Sequence, residues 1–153
     1  MKRLAAQYII TNSGPLLKRA VVTTEDDGTI ISIEDTAGDL KEKHSTEFYN
    51  GIIIPGFVNS HCHLELSHMK GCISEGEGLG GFIEELKTLQ FNFPEISIED
   101  LIFWATSNGA RAMGEEDRFG KIEPGKNPGL LLLGNVDLIN MKLLPESFVT
   151  RLI

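Results

Sequence analysis

Cysteine is scarce in this sequence. Two residues, Cys62 and Cys72, cannot build a disulfide framework, and in a reducing compartment both are expected to be free thiols. Long apolar runs are missing too. The N-terminal stretch Met1–Gly14 is interrupted by Gln7 and is far too short to cross a bilayer. It also lacks the longer apolar region and small-residue cleavage site of a signal peptide, so the expected location is cytoplasmic. Positive charge is in deficit: 14 basic against 22 acidic residues give a net charge of -8. Such a chain repels nucleic acid and anionic lipid, which excludes both as expected partners. There is no internal repeat and no low-complexity tract. What is present, 41% hydrophobic and 24% charged residues, is enough apolar content for an ordered globular core.

The first half reads as strands. Leu4–Ile10 is a short apolar run closed by the turn cluster Asn12-Ser13-Gly14-Pro15. Ala20–Thr24 and Thr29–Ile33 are β-branched runs around Asp27-Gly28, a hairpin signal in which Gly28 supplies positive φ. Asp35–Glu42 is polar and irregular. Glu47–Tyr49 predicts a short strand ending at Asn50-Gly51. Ile52–Val58 is apolar at both parities, the mark of a strand buried on both faces, with a bend at Pro55-Gly56.

The second half predicts two amphipathic helices. Leu79, Phe82, Ile83, Leu86 and Leu89 have helical spacing, as do Ile98, Leu101, Ile102, Ala105, Gly109 and Ala112. Ser97 with Asp100 resembles a capping box, Gly114 suits the C′ position, and Phe91–Pro94 breaks the chain between the helices. Leu130–Leu133 and Phe148–Ile153 predict the last strands. Trp104 and the phenylalanines are expected in the core.

Chemistry concentrates at the end of the buried run. His61 and His63 alternate along a strand with Cys62, so the two imidazoles share one face and can chelate one ion, while Cys62 points away. His68 is expected on an exposed loop and His44 in solvent. Glu75, Glu77, Glu84 and Glu85 read as solvated faces, and Glu115-Glu116-Asp117 as an exposed turn.

The full stretch Gly51-Ile52-Ile53-Ile54-Pro55-Gly56-Phe57-Val58-Asn59-Ser60-His61-Cys62-His63-Leu64-Glu65 resembles the first barrel strand of the amidohydrolase superfamily. These are metal-dependent hydrolases and deaminases on a TIM barrel. Leu64–His68 is similar to the deaminase and chlorohydrolase branch. Ala105–Gly114 resembles the last barrel helix. Gly120–Lys126 resembles the return into the family's composite β-sandwich, although Pro128-Gly129 stands where relatives usually carry Ala-Asp. The resemblance implies that His61 and His63 are metal ligands, for zinc or iron, and that Glu65 borders the pocket for a small-molecule substrate.

A complete barrel needs about 250 residues and rarely fewer than about 200, against 153 here. The family's other ligands and its catalytic aspartate come from later strands, and the segment 90–97 cannot supply them. The resemblance therefore implies an internal deletion. The expected fold is α+β, mainly β with two α-helices, in a single domain spanning 1–153. Residues 1–50 and 120–153 would form the composite sandwich, and 51–119 a barrel remnant. The expected function is that of a metal-dependent hydrolase remnant, acting in its parent form on non-peptide C–N bonds. No catalytic residue is assigned and the chain is expected to be inactive. Two alternatives stand beside it. One is an assembly module, such as a homodimer, that uses an exposed barrel-strand surface. The other is a small metal enzyme completed across a dimer.

Overall fold

The structure, a computed structural model, describes residues 1–41, 45–59 and 78–153. The strands are β1 (Lys2–Ile9), β2 (Leu17–Lys18), β3 (Val21–Thr24), β4 (Ile30–Glu34), β5 (Thr46–Pro55), β6 (Leu130–Asp137) and β7 (Lys142–Arg151). The helices are α1 (Gly78–Asn92), α2 (Ile98–Phe103) and α3 (Gly109–Ala112), the last two joined by a π-helical turn over Trp104–Asn108. All seven strands belong to one sheet, ordered β4-β3-β1-β5-β6-β7, with β2 paired to β1.

The centre of that sheet is the run read as buried on both faces. Ile52, Ile53 and Ile54 are each 0% exposed. Because side chains alternate along a strand, Ile52 and Ile54 enter one apolar cluster and Ile53 enters another. The first cluster lies under the helices and includes Ile83, Leu86, Leu101 and Ile102. The second holds Leu4, Val22, Ile30, Ile122 and Leu130. β5 runs parallel to β1 on one side and antiparallel to β6 on the other. The surface expected to be left open for a partner on this strand is therefore covered. The strand has neighbours on both faces from within the chain.

The sheet curls around the second cluster. The Ile30 amide donates to the Lys126 carbonyl, and the Gly125 amide donates to the Ile30 carbonyl, each at 2.8 Å. These bonds tie the β4 edge to the segment leading into β6. A Cβ on Gly28, whose φ is +92°, would lie 2.8 Å from Ile153 Cγ2. The hairpin glycine is thus used twice, for its turn and for a close approach.

Several boundaries differ from the sequence reading. The short strand at Glu47–Tyr49 and the run from Ile52 form one strand, because a bulge that falls between Ala6 and Tyr8 of β1 absorbs the Asn50-Gly51 pair. Gly51 has φ +150° and leaves 2.4 Å between an added Cβ and the Leu133 carbonyl oxygen, so no side chain fits there. β6 and β7 form a longer hairpin than Leu130–Leu133 and Phe148–Ile153 predicted. Despite Pro128-Gly129, β6 pairs with β5 from its first residue, over Leu130–Leu133.

The aromatic residues depart further from expectation. Trp104 is 46% exposed and Phe91 86%. Trp104 lies one helical turn beyond Asp100, on the solvent side, while Leu101 and Ile102 face the core. In α1, Leu89 is half-exposed and Gln90 is buried instead, since the buried stripe runs Ile83, Leu86, Gln90. The cap at Ser97 is as read: the Asp100 amide donates to Ser97 Oγ at 3.0 Å, and the hydroxyl donates to Asp100 Oδ2 at 2.7 Å.

Two predictions follow from the sheet. Ile53→Ala removes a fully buried side chain from the central strand. It should cost about 2–5 kcal/mol in urea denaturation, with the helix-covered cluster still assembled. On β5, Tyr49 donates its hydroxyl to Glu47 Oε2 at 2.5 Å, and this hydrogen bond, aided by burial, raises its pKa to about 12. A raised tyrosine pKa favours the protonated fold. That stabilisation is complete below the unfolded value near 10 and is lost as pH rises through about 12. Ultraviolet titration should resolve this late-ionising tyrosine, and Glu47→Ala should return it towards 10.

Candidate functional site

The residues that lead from β5 towards His61 are held by the helical layer. The Val58 amide donates to the Ala105 carbonyl at 2.9 Å. That carbonyl belongs to the π-helical turn, where the widened coil lets the backbone bond outside the helix. One turn on, Gly109 packs on the same residue: an added Cβ would lie 2.3 Å from the Val58 carbonyl oxygen. Phe57 stacks on Phe82 of α1, with ring centroids 4.9 Å apart and planes at 24°. Behind it, the Gly56 amide donates to the carbonyls of Pro128 and Gly129, both at 3.2 Å. Four separate elements thus converge on Gly56–Val58.

A polar knot fixes the π turn in place. Asn12 Nδ2 donates to Thr106 Oγ1 and to the Gly120 carbonyl, both at 2.7 Å. Thr106 Oγ1 donates back to the Ile102 carbonyl at 2.6 Å, and Ser107 Oγ donates to the Gly120 carbonyl at 2.6 Å. Thr106 and Ser107 are both buried. A buried hydroxyl that bonds the carbonyl four residues back loosens a helix locally. Together with the Asn12 contact, this accounts for the turn at that place. Asn12 itself has φ +61°, a conformation that asparagine tolerates better than most residues. Sequence reading treated Asn12 as part of a turn and Thr106 as a helix residue. The one available signal was a run of polar residues, Thr106-Ser107-Asn108, inside an apolar helical pattern.

His61, His63 and Glu65 lie outside the described residues, as do His44, His68, Cys62, Cys72, Glu75 and Glu77. Glu84 and Glu85 are on the exposed side of α1, and Glu84 pairs with Lys87 at 2.7 Å. Among the described residues, no group of three or more His, Cys, Asp or Glu side chains could hold a metal ion. Also among these residues, no helix is long and apolar enough to cross a membrane.

Residues 80–149, from α1 into β7, match the model of the Amidohydrolase family. This matched part, a little under half of the chain, is similar to that family. The chain is 40% identical over 65 residues to an imidazolonepropionase from Picrophilus torridus, a match that covers 42% of this chain. The chain spans 16% of that relative's length. Some solved structures overlap part of the chain. An amidohydrolase from Brucella melitensis overlaps 51% of this chain and 16% of its own, at 20% identity and TM-score 0.35. An N-acetyl-D-glucosamine-6-phosphate deacetylase from Mycobacterium smegmatis overlaps 41% and 16%, at 19% identity and TM-score 0.32.

The grip on Val58 can be tested directly. Gly109→Ala would gain up to about 1 kcal/mol of helix propensity in an unconstrained helix. Here the methyl overlaps a backbone oxygen, so the net effect should be a loss of about 1–3 kcal/mol. Urea denaturation reads the sign, and a stabilised variant would contradict the close approach.

Proposed function

We propose that this chain carries the two ends of a metal-dependent amidohydrolase without the barrel between them. Its parent form would hydrolyse a non-peptide C–N bond of a small molecule, the imidazolonepropionase being one relative of that class. The observation that carries the reading is the junction between the helices. α1 ends at Asn92 and α2 begins at Ile98, so residues 93–97 join a segment resembling the start of a barrel to one resembling its last helix. The family match across residues 80–149 supports the relationship on both sides of that junction. In this reading the curled sheet is the counterpart of the composite β-sandwich.

His61 and His63 are the proposed metal ligands, and Glu65 the residue bordering the substrate. A zinc or iron ion held there would lower the pKa of a bound water towards neutrality. A catalytic zinc normally has three protein ligands. Two histidines therefore make a weak site that is incomplete for catalysis, and the chain is proposed to be inactive by itself. Gly56–Val58 would set where the pair leaves the sheet, through the bonds to Ala105, Pro128 and Gly129.

The test uses the pure chain. Zinc binding measured by calorimetry should be weak, and His61→Ala should reduce it further. Incubation with cyclic amides and aminated purine nucleosides, with and without zinc, should give no hydrolysis above buffer. Metal-dependent turnover would overturn the proposed inactivity. Zinc binding indifferent to both His61→Ala and His63→Ala would overturn the ligand assignment.

A further inference from the structure

β7 ends the strand order, so among the described residues one of its sides has no strand beside it. Such an edge is a template for adding another chain. Here α1 occupies part of it with side chains. Gln90 Nε2 donates to the Leu143 carbonyl at 3.1 Å, and the Leu143 amide donates to Gln90 Oε1 at 3.0 Å. A primary amide presents one donor and one acceptor side by side, as a neighbouring strand's peptide group does. Two residues on, Pro145 has no N–H to offer, and its carbonyl accepts from Lys87 Nζ at 2.7 Å. Leu143, and Pro145 in the bulge that follows it, thus have every backbone polar group accounted for.

Gln90 is buried on the stripe where helical spacing predicted an apolar residue. A leucine there would suit the apolar cluster below, which contains Leu86 and Leu143. The amide's burial is explained by its two bonds to the strand. We infer that Gln90 is an edge guard, a built-in surrogate strand that keeps β7 of one copy from pairing with β7 of another. Lys87 and Pro145 complete the seal.

Sedimentation velocity over a concentration series tests this, with hydrogen exchange on the same samples. Gln90→Leu keeps the apolar contacts and removes the surrogate. Its self-association should be at least about tenfold tighter than that of the parent chain, the factor that one or two recovered edge hydrogen bonds represent. Protection of β7 amides should rise with protein concentration in the variant and not in the parent. Gln90→Asn, too short to hold both bonds, should show the same direction if Gln90→Leu fails to fold. The inference is overturned if the folded variants stay monomeric throughout, or if they associate without concentration-dependent protection in β7.

Discussion

Burying one strand on both faces is the constraint on which the structure depends. A strand of that kind needs two apolar layers and two strand neighbours. The chain supplies the neighbours from its opposite ends: β1 on one side, β6 on the other. It supplies the layers from its two halves. Helices cover Ile52 and Ile54, while β3, β4 and the segment at Ile122 enclose Ile53. Both pairings, β1 with β5 and β5 with β6, join residues far apart in sequence, so completing the central strand carries a high contact order. A shift of the Ile52–Ile54 backbone would reach both clusters, whereas truncating Ile53 opens only the second.

The fold was legible where local chemistry and burial agree. The hairpin at Gly28, the double-sided run at Ile52, the Ser97 cap and the Gly114 stop each follow from a local rule, which tertiary packing reinforces at Gly28 and Ile52. The joining of Glu47–Tyr49 to Ile52 was not legible, because Asn50-Gly51 reads as a turn unless the Leu133 carbonyl opposite is known. Gln90 was missed for a related reason. Hydrophobic periodicity assigns the buried face by apolarity and cannot foresee a polar side chain bonded to a strand edge. Trp104 shows the reverse error, since a large aromatic residue was assigned inward although its helical position follows Asp100. Of the candidate site, the sequence presents the proposed ligands, and the structure presents the support of the segment before them, Gly56–Val58. His61 and His63 stand out by pattern. The π turn, Gly109 and the Asn12 knot arise from contacts between distant segments that no spacing rule encodes.

That support has a division of labour. Apolar burial places β5 in the sheet, but directional bonds place its exit. Val58 is bonded to the π turn at 2.9 Å, and Gly56 to Pro128 and Gly129 at 3.2 Å. The knot at Gly120 then relates the π turn to the first loop of the chain. The helical layer is thus both cover and jig: its inner face fills the core, and its backbone irregularity reaches out to a strand end. A regular helix over residues 98–112 would keep the first role and lose the Ala105 carbonyl from the second.

The turn between the helices has a different character from everything around it. Residues 91–95 are exposed, and both apolar clusters close without them. Lys142 reaches the turn at the Pro94 and Ile96 carbonyls from outside, so its ends are tethered at the rim and not by the core. Chain length can therefore change at this point with little effect on what lies beneath. In architectural terms residues 91–95 are a rim, where added chain length would leave the platform beneath folded.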